Sequence, residues 1–377
     1  MMYTCTPQHA ATSASATKAA SRKIVKRPKG SKGSKGSKGG KKSLAVDLHC
    51  HVHTPAAETI ARQSAVPHGD PLAQFGSQRT ADRQKALRQE IDAKLTSIET
   101  RLSDMNKMGI DVQAISTSPA QYYYRIEPEL GRLASRATNE RLAEIVSLHP
   151  DRFVALATVP MQEPEFAVQE LEYCMKTLGF RGMEIGTNVR RAELSDPRFE
   201  KLWAKAQELG AVIFLHPSGF TDTSRLKEHF LTNVIGNPLD TTVALAHIVY
   251  GGVLERHPKL KFVAAHGGGY MGHYPARMDH AYRVRPECHD HITRPPSYYM
   301  KKIYYDTMVF GEAQLEHLVK LWGESHVVIG TDYPYDMGYY KPVDFIERTK
   351  SLTRKQKDAS LGGNAAKLLG LKPSKLK

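Results

Sequence analysis

Asp47-Leu48-His49-Cys50-His51-Val52-His53 stands directly after the apolar run Leu44-Ala45-Val46. An apolar run that gives way to alternating polar residues reads as a strand leaving a core, and alternate side chains of a strand share a face. His49 and His51 therefore aim at one point from the strand's end. Two imidazoles so placed form half of a metal site, because neutral histidine is a common zinc ligand. A bare His-x-His is also met as a hydrogen-bonded surface pair. What separates the readings is that three later apolar runs each end in a side chain of the right kind.

Outward from this stretch, β-type runs alternate with helical patterns. The runs are 45–51, 112–116, 153–159, 182–186, 211–216, 262–266, 303–306 and 327–332. Between the first two, Pro67, Gly69 and Pro71 break a long segment whose length suggests a lid. Leu87, Ile91, Leu95, Ile98, Leu102, Met105 and Met108 then recur in steps of three or four, the stripe of one long amphipathic helix ended by Gly109. Further helices are expected over 127–148, 163–178 and 196–209, and over 231–256 with an interruption at Gly236-Asn237-Pro238. Eight strands each followed by helical sequence predict a (β/α)8 barrel. A doubly wound open sheet is the structural alternative. It would spread the polar strand ends too far apart to meet, whereas a barrel gathers them on one face.

The chain has 377 residues, 41% of them hydrophobic, enough for one large domain or two ordinary ones. No run approaches ~20 uninterrupted apolar residues, so no membrane span is expected. Cys5, Cys50, Cys174 and Cys288 are scattered, which fits free thiols in the reducing cytoplasm better than a disulfide framework. The formal charge of +14 would ordinarily point to nucleic acid or membrane. Residues 1–43, however, hold eleven Lys or Arg and no acid, and the remainder has 42 basic against 39 acidic residues. The charge belongs to a Lys/Gly/Ser-rich tail over 1–43, expected to be disordered, and 44–377 is expected to form the barrel domain. A nucleic-acid partner is therefore not expected of the body.

His49 and His51 end the first run, His216 the fifth, His266 the sixth and Asp332 the eighth. Ionisable groups at the ends of buried runs must be paired, metal-bound or neutralised. His49, His51, His216 and Asp332 supply three imidazoles and a carboxylate. With a water, that is a catalytic zinc site, and zinc would bring the bound water's pKa toward ~7. His266 is left over as a general acid/base. Asp332 doubles as a hydrogen-bond acceptor for the water. The fourth run, Gly182-Met183-Glu184-Ile185-Gly186-Thr187, has no Lys to bridge two metals, so a single ion is expected. Glu184 faces the interior in this reading. His53 lines the pocket, supports a ligand or is a spare ligand, and His247 and His257 read as structural. Gly267-Gly268-Gly269 allows the backbone to approach a substrate closely.

Asp-x-His-x-His, the His216-Pro217 pair, Ala265-His266-Gly267-Gly268-Gly269 and Gly330-Thr331-Asp332-Tyr333-Pro334 together resemble the amidohydrolase superfamily. Within it they resemble the decarboxylase branch typified by aminocarboxymuconate-semialdehyde decarboxylase, over about residues 44–371. The resemblance implies zinc at His49, His51, His216 and Asp332, with His266 activating the metal-bound water. It also implies that Arg101, Arg277 and Arg285 bind the substrate's carboxylates, one of the last two reaching into a neighbouring subunit, hence a homodimer with a shared site. Arginine's planar fork suits a carboxylate. The sequence departs from the branch at Ser218-Gly219-Phe220, where the family enzyme has Trp-Asp. The implied reaction is non-oxidative loss of CO2 from an unsaturated or aromatic carboxylic acid. The competing reading is a metal-dependent hydrolase or hydratase of a lactone or amide.

Overall fold

Eight parallel strands close on themselves. The computed structural model describes residues 43–67, 69–218 and 223–372. The strands are β1 Val46–Val52, β2 Val112–Thr117, β3 Phe153–Ala155, β4 Gly182–Ile185, β5 Val212–Leu215, β6 Lys261–Ala264, β7 Tyr304–Asp306 and β8 Val327–Val328. Pairing joins β1, β2 and β3 in one set and β4 through β8 in another. Single bridges seal the two seams: Ala157 to Met183, and Asp47 to Ile329 with Cys50 to Tyr333. At these seams Ala157 N donates to Gly182 O at 2.8 Å and Leu48 N to Ile329 O at 2.9 Å. The barrel is thus the expected one, and a closed barrel has no free edge.

The first strand carries a feature that alternation alone does not foresee. Asp47 pairs with Gln113 and Cys50 with Ile115, so Leu48 and His49 together stand opposite Ala114. This bulge shifts the side-chain parity by one. Val46 and Leu48 face the interior below it, with Val112, Ala114, Leu156, Val212, Phe214, Val263 and Val328. Above it His49 and His51 face the interior, while Cys50 packs outward with Ile115, Met183, Ile213 and Phe262. Asp47 is therefore on the outer face, not beside the two histidines. Ala365, Leu368 and Leu369 join the interior cluster from the C-terminal helix Asn364–Leu368.

Around the strands run α1 Ile98–Met108, α2 Pro128–Leu148, α3 Pro164–Lys176, α4 Glu200–Leu209, α5 Asn237–Tyr250, α6 Ala276–Val284 and α7 Glu312–Trp322. The long stripe from Leu87 to Met108 is not one helix. It is divided into Gln78–Glu90, Asp92–Thr96 and α1. The second break has a clear cause: the Ser97 hydroxyl accepts from Thr100 N and starts a new helix. The two halves of the stripe also serve different surfaces. Leu87, Ile91 and Leu95 form their own cluster against Tyr335, whereas Met105 and Met108 enter the main core. Leu72, Gln84 and Leu87 of the segment between β1 and α1 wall the cavity above Asp332, so this segment covers the barrel's C-terminal mouth as helices rather than as a loop. The expected interruption at Gly236-Asn237-Pro238 is no break either. Thr232–Gly236 is a π-helical turn that runs directly into α5, with Pro238 in the first turn, where its missing N–H costs no helical bond.

The described residues from Ser43 onward form a compact unit by themselves. Among the described residues no helix is long and apolar enough to cross a membrane. The tail expected over 1–43 lies, apart from Ser43, outside the described residues.

Candidate metal centre

His49 and His51 leave the end of β1, His216 follows β5, His266 follows β6 and Asp332 follows β8, and all five side chains meet. Nε2 of His49 is 3.3 Å and Nε2 of His51 3.2 Å from Oδ1 of Asp332. The His216 ring centre is 4.8 Å from those of both His49 and His51. On the far side, His266 Nε2 is 3.7 Å from the other Asp332 oxygen. Donor atoms of His49, His216, His266 and Asp332 all lie within 4.8 Å of one another. Nε2 of His49, Nε2 of His51 and both ring nitrogens of His216 are buried without a hydrogen-bond partner. One such orphan costs about 1–3 kcal/mol, and three rings that each turn one toward the same point make sense only around a group they hold in common. Three imidazoles and a carboxylate fit a divalent ion.

The two candidate ligands on β1 are each aimed by a second group. His49 Nδ1 is 2.6 Å from Asp306 Oδ2, which makes Nδ1 the protonated nitrogen and leaves Nε2 free. Asp306, at the end of β7, is anchored in turn by Gly267 N at 2.9 Å and Met308 N at 3.1 Å. His51 Nδ1 donates to Thr117 O at 2.9 Å. Asp47, on the outer face, accepts from Thr331 Oγ1 at 2.7 Å, Gln113 Nε2 at 2.9 Å and His49 N at 3.2 Å, tying β1, β2 and the β8 end together. Burial pushes its carboxyl up to about 6, with those donors pulling the other way. His216 is held well below the usual histidine range, by burial first and then by the neighbouring imidazoles, so it is neutral as a ligand must be. Burial opposes ionisation of Asp332, but His49, His266 and His51 outweigh it and hold the group well below the usual carboxylate range. The backbone is strained at two of these residues: φ is +55° at His266 and +53° at Asp332. Left-handed φ at non-glycine residues costs of order 1–3 kcal/mol and gathers at functional sites.

The amidohydrolase family profile matches residues 46–371. The chain belongs to the amidohydrolase family. It is 35% identical over 288 residues to 2-amino-3-carboxymuconate-6-semialdehyde decarboxylase of Dictyostelium discoideum, covering 76% of this chain and 80% of the relative. It is 26% identical over 266 residues to gamma-resorcylate decarboxylase of Rhodococcus jostii (strain RHA1), covering 66% and 80%. Among solved structures it resembles dihydroxybenzoic acid decarboxylase from Polaromonas sp. JS666, with bound manganese and the inhibitor 2-nitroresorcinol. That TM-score is 0.74 at 22% identity, over 89% of this chain and 99% of the other. The chain is thereby an enzyme of the amidohydrolase superfamily, in its decarboxylase branch.

Other expected residues of this amidohydrolase fall elsewhere. Arg101 is buried outside the barrel wall, not in the site. Its guanidinium bonds Gln113 Oε1 at 3.0 Å and the His51 carbonyl, and it stacks 4.8 Å from the Tyr333 ring. It braces the strand that carries the histidines, because the bulge turns that side of β1 toward α1. Arg277 and Arg285 are exposed at α6, the latter paired with Glu287, and neither lines a cavity that reaches Asp332. The three glycines after His266 approach the protein's own wall: φ is +58° at Gly269, where a Cβ would sit 2.1 Å from Pro238 O. His53 Nε2 lies 2.8 Å from Glu58, lining a larger cavity of about 850 Å³ separated from the metal centre by Tyr335. Glu184 faces inward and accepts from Tyr122 OH at 2.5 Å. His247 and His257 lie near Glu193 and Glu200 and far from the site. Gly219 and Phe220 of the departing stretch lie outside the described residues, while Ser218 lines the cavity beside His216.

Proposed function

We propose that this amidohydrolase removes CO2, without oxidation, from an unsaturated or aromatic carboxylic acid at a single divalent ion held by His49, His51, His216 and Asp332. The observation that carries the reading is the cluster of unpartnered imidazole nitrogens around one carboxylate, in a chain whose named relatives are decarboxylases. Zinc is the ion we assign, on the three-imidazole donor set; the manganese of the Polaromonas structure is what metal analysis must decide against. When bound, such an ion supplies a Lewis acid for a substrate oxygen and acidifies a coordinated water.

The chain's own residues do the rest. His266 sits across Asp332 from β1, its side chain 14% exposed toward the cavity and its Nδ1 unpartnered. In this reading it delivers a proton to the carbon bearing the carboxylate, the protonation route rather than addition of a hydroxide it would activate. That protonation removes conjugation at the carbon. The C–C bond then breaks, its electron pair restores the conjugated system, and CO2 leaves. One proton is consumed per turnover and His266 recovers it from solvent. Asp332 orients His266 and both β1 imidazoles.

The barrel over 44–377 is the catalytic domain in this reading, and the tail over 1–43 is dispensable for chemistry. Exposed Tyr270, Tyr274, Val284 and Tyr298 around α6 form an apolar rim on which a second copy would seat, bringing Arg277 or Arg285 to its neighbour's substrate. Buried unpaired thiols at Cys50 and Cys174 suit the cytoplasm. The test is CO2 release from a panel of hydroxybenzoates and muconate semialdehydes. Release of CO2 supports the reading; a hydrolysed lactone or amide with no CO2 would replace it with the hydrolase alternative.

A further inference from the structure

Among the described residues, two cavities that reach Asp332 share one wall. Asn233, Asn237 and Met337 line both. Asn237 stands where the π-helical turn passes into α5, in the segment on which Gly269 closes. It is only 7% exposed, and its Oδ1 has no hydrogen-bond partner. An ion would account for one nitrogen of each ligating imidazole but not for this oxygen, since a neutral amide adds little beside three imidazoles and a carboxylate. Phe230, Val234, Met308 and Phe310 supply the apolar part of the walls, and Asp70, Gln84, Ser218, His273, Gln314 and Asp336 the polar part. Among the described residues neither cavity is lined by Arg or Lys. An unpaired amide oxygen in a mixed wall without a cation is an address for a neutral hydrogen-bond donor on a ligand.

From this geometry we propose that Asn237 is a substrate-binding residue whose amide oxygen accepts a hydrogen bond from a ring or enol hydroxyl of the acid. The inference rests on the decarboxylase reading for the nature of the ligand. It names what that reading leaves open: a flat acid with a hydroxyl group in addition to its carboxylate, selected by an amide and not by a second cation from the same chain.

Calorimetric titration of the metal-loaded full-length protein with 2,6-dihydroxybenzoate and with benzoate, which has no hydroxyl, tests it. The wild type is expected to bind the dihydroxy acid about 10-fold more tightly, the scale of one buried hydrogen bond. Asn237→Leu, similar in size, is expected to bind the two within about 2-fold, by weakening on the dihydroxy acid alone. Asn237→Ala gives the same comparison if the leucine variant does not fold. A folded variant that keeps the wild-type preference overturns the proposal, as does a wild type that shows none or binds neither acid. CO2 release measured in parallel separates the two readings. Discrimination that depends on Asn237 without any CO2 would sink the decarboxylase assignment and leave the role of Asn237 standing.

Discussion

In the proposed metal centre Asp306 fixes the tautomer of His49, and that dependence is measurable. Asp306→Asn should weaken metal binding by about 10–100-fold, read by competition with a chelator, since the partner of a ligating histidine carries that much affinity; unchanged affinity would show that Asp306 is a bystander. His266→Ala should keep its metal and lose turnover by ~10²-fold or more. Loss of metal together with turnover would make His266 a ligand instead, as its place within 4.8 Å of the other donors allows. A third residue reports on pH. Burial pushes the Asp240 carboxyl up to about 7, against the Thr187 hydroxyl that bonds it. A carboxyl whose folded pKa lies above its ordinary 3.8 holds its proton more tightly when folded, so its contribution to stability is full below about pH 4 and is lost as pH rises toward 7. Asp240→Asn should therefore gain melting temperature relative to wild type at pH 8 but not at pH 4; equal shifts at both would contradict the buried acid. The five centre residues are legible in the sequence because imidazoles and an acid at the ends of apolar runs are buried ionisable groups that need a shared counterpart. Asp306 ends a run in the same way, yet a lone aspartate has no companion in the sequence to mark it. The place of Arg101 is not legible, because the bulge in β1 decides which side of the strand its helix sees.

At the scale of elements, the turn after β6 is the most constrained. Residues 266 to 269 all have positive φ, and Gly269 is pressed against Pro238 at the head of α5. Gly269→Ala should cost several-fold more stability than Gly370→Ala, which has a similar φ of +63° but nothing within 4 Å of its added Cβ. The φ penalty alone is about 1–2 kcal/mol, and the difference between the variants, read by urea denaturation, measures the clash. Equal costs would mean that the loop yields without loss. Strand existence is readable from apolar runs bounded by Gly and Pro. Helix continuity is not. The period from Leu87 to Met108 is kept through Ser97, so the stripe looks unbroken, yet the Ser97 cap and the two separate surfaces it serves divide it.

For the whole molecule, eight runs with helices between them specify the barrel, since closure leaves no edge and puts every strand end at one mouth. How copies associate is not legible, because an exposed tyrosine in sequence looks like any other. A chain lacking residues 1–42 is expected to keep its metal content and its turnover, and a loss of either would assign the basic tail a part in the site. The account as a whole turns on one ion at the meeting point of β1, β5 and β8. Elemental analysis of the purified protein, set against its chain concentration, tests this most directly. One equivalent of divalent metal per chain in the wild type, and almost none in His216→Ala, is the predicted result. Two equivalents in the wild type, or one that survives in His216→Ala, would contradict it.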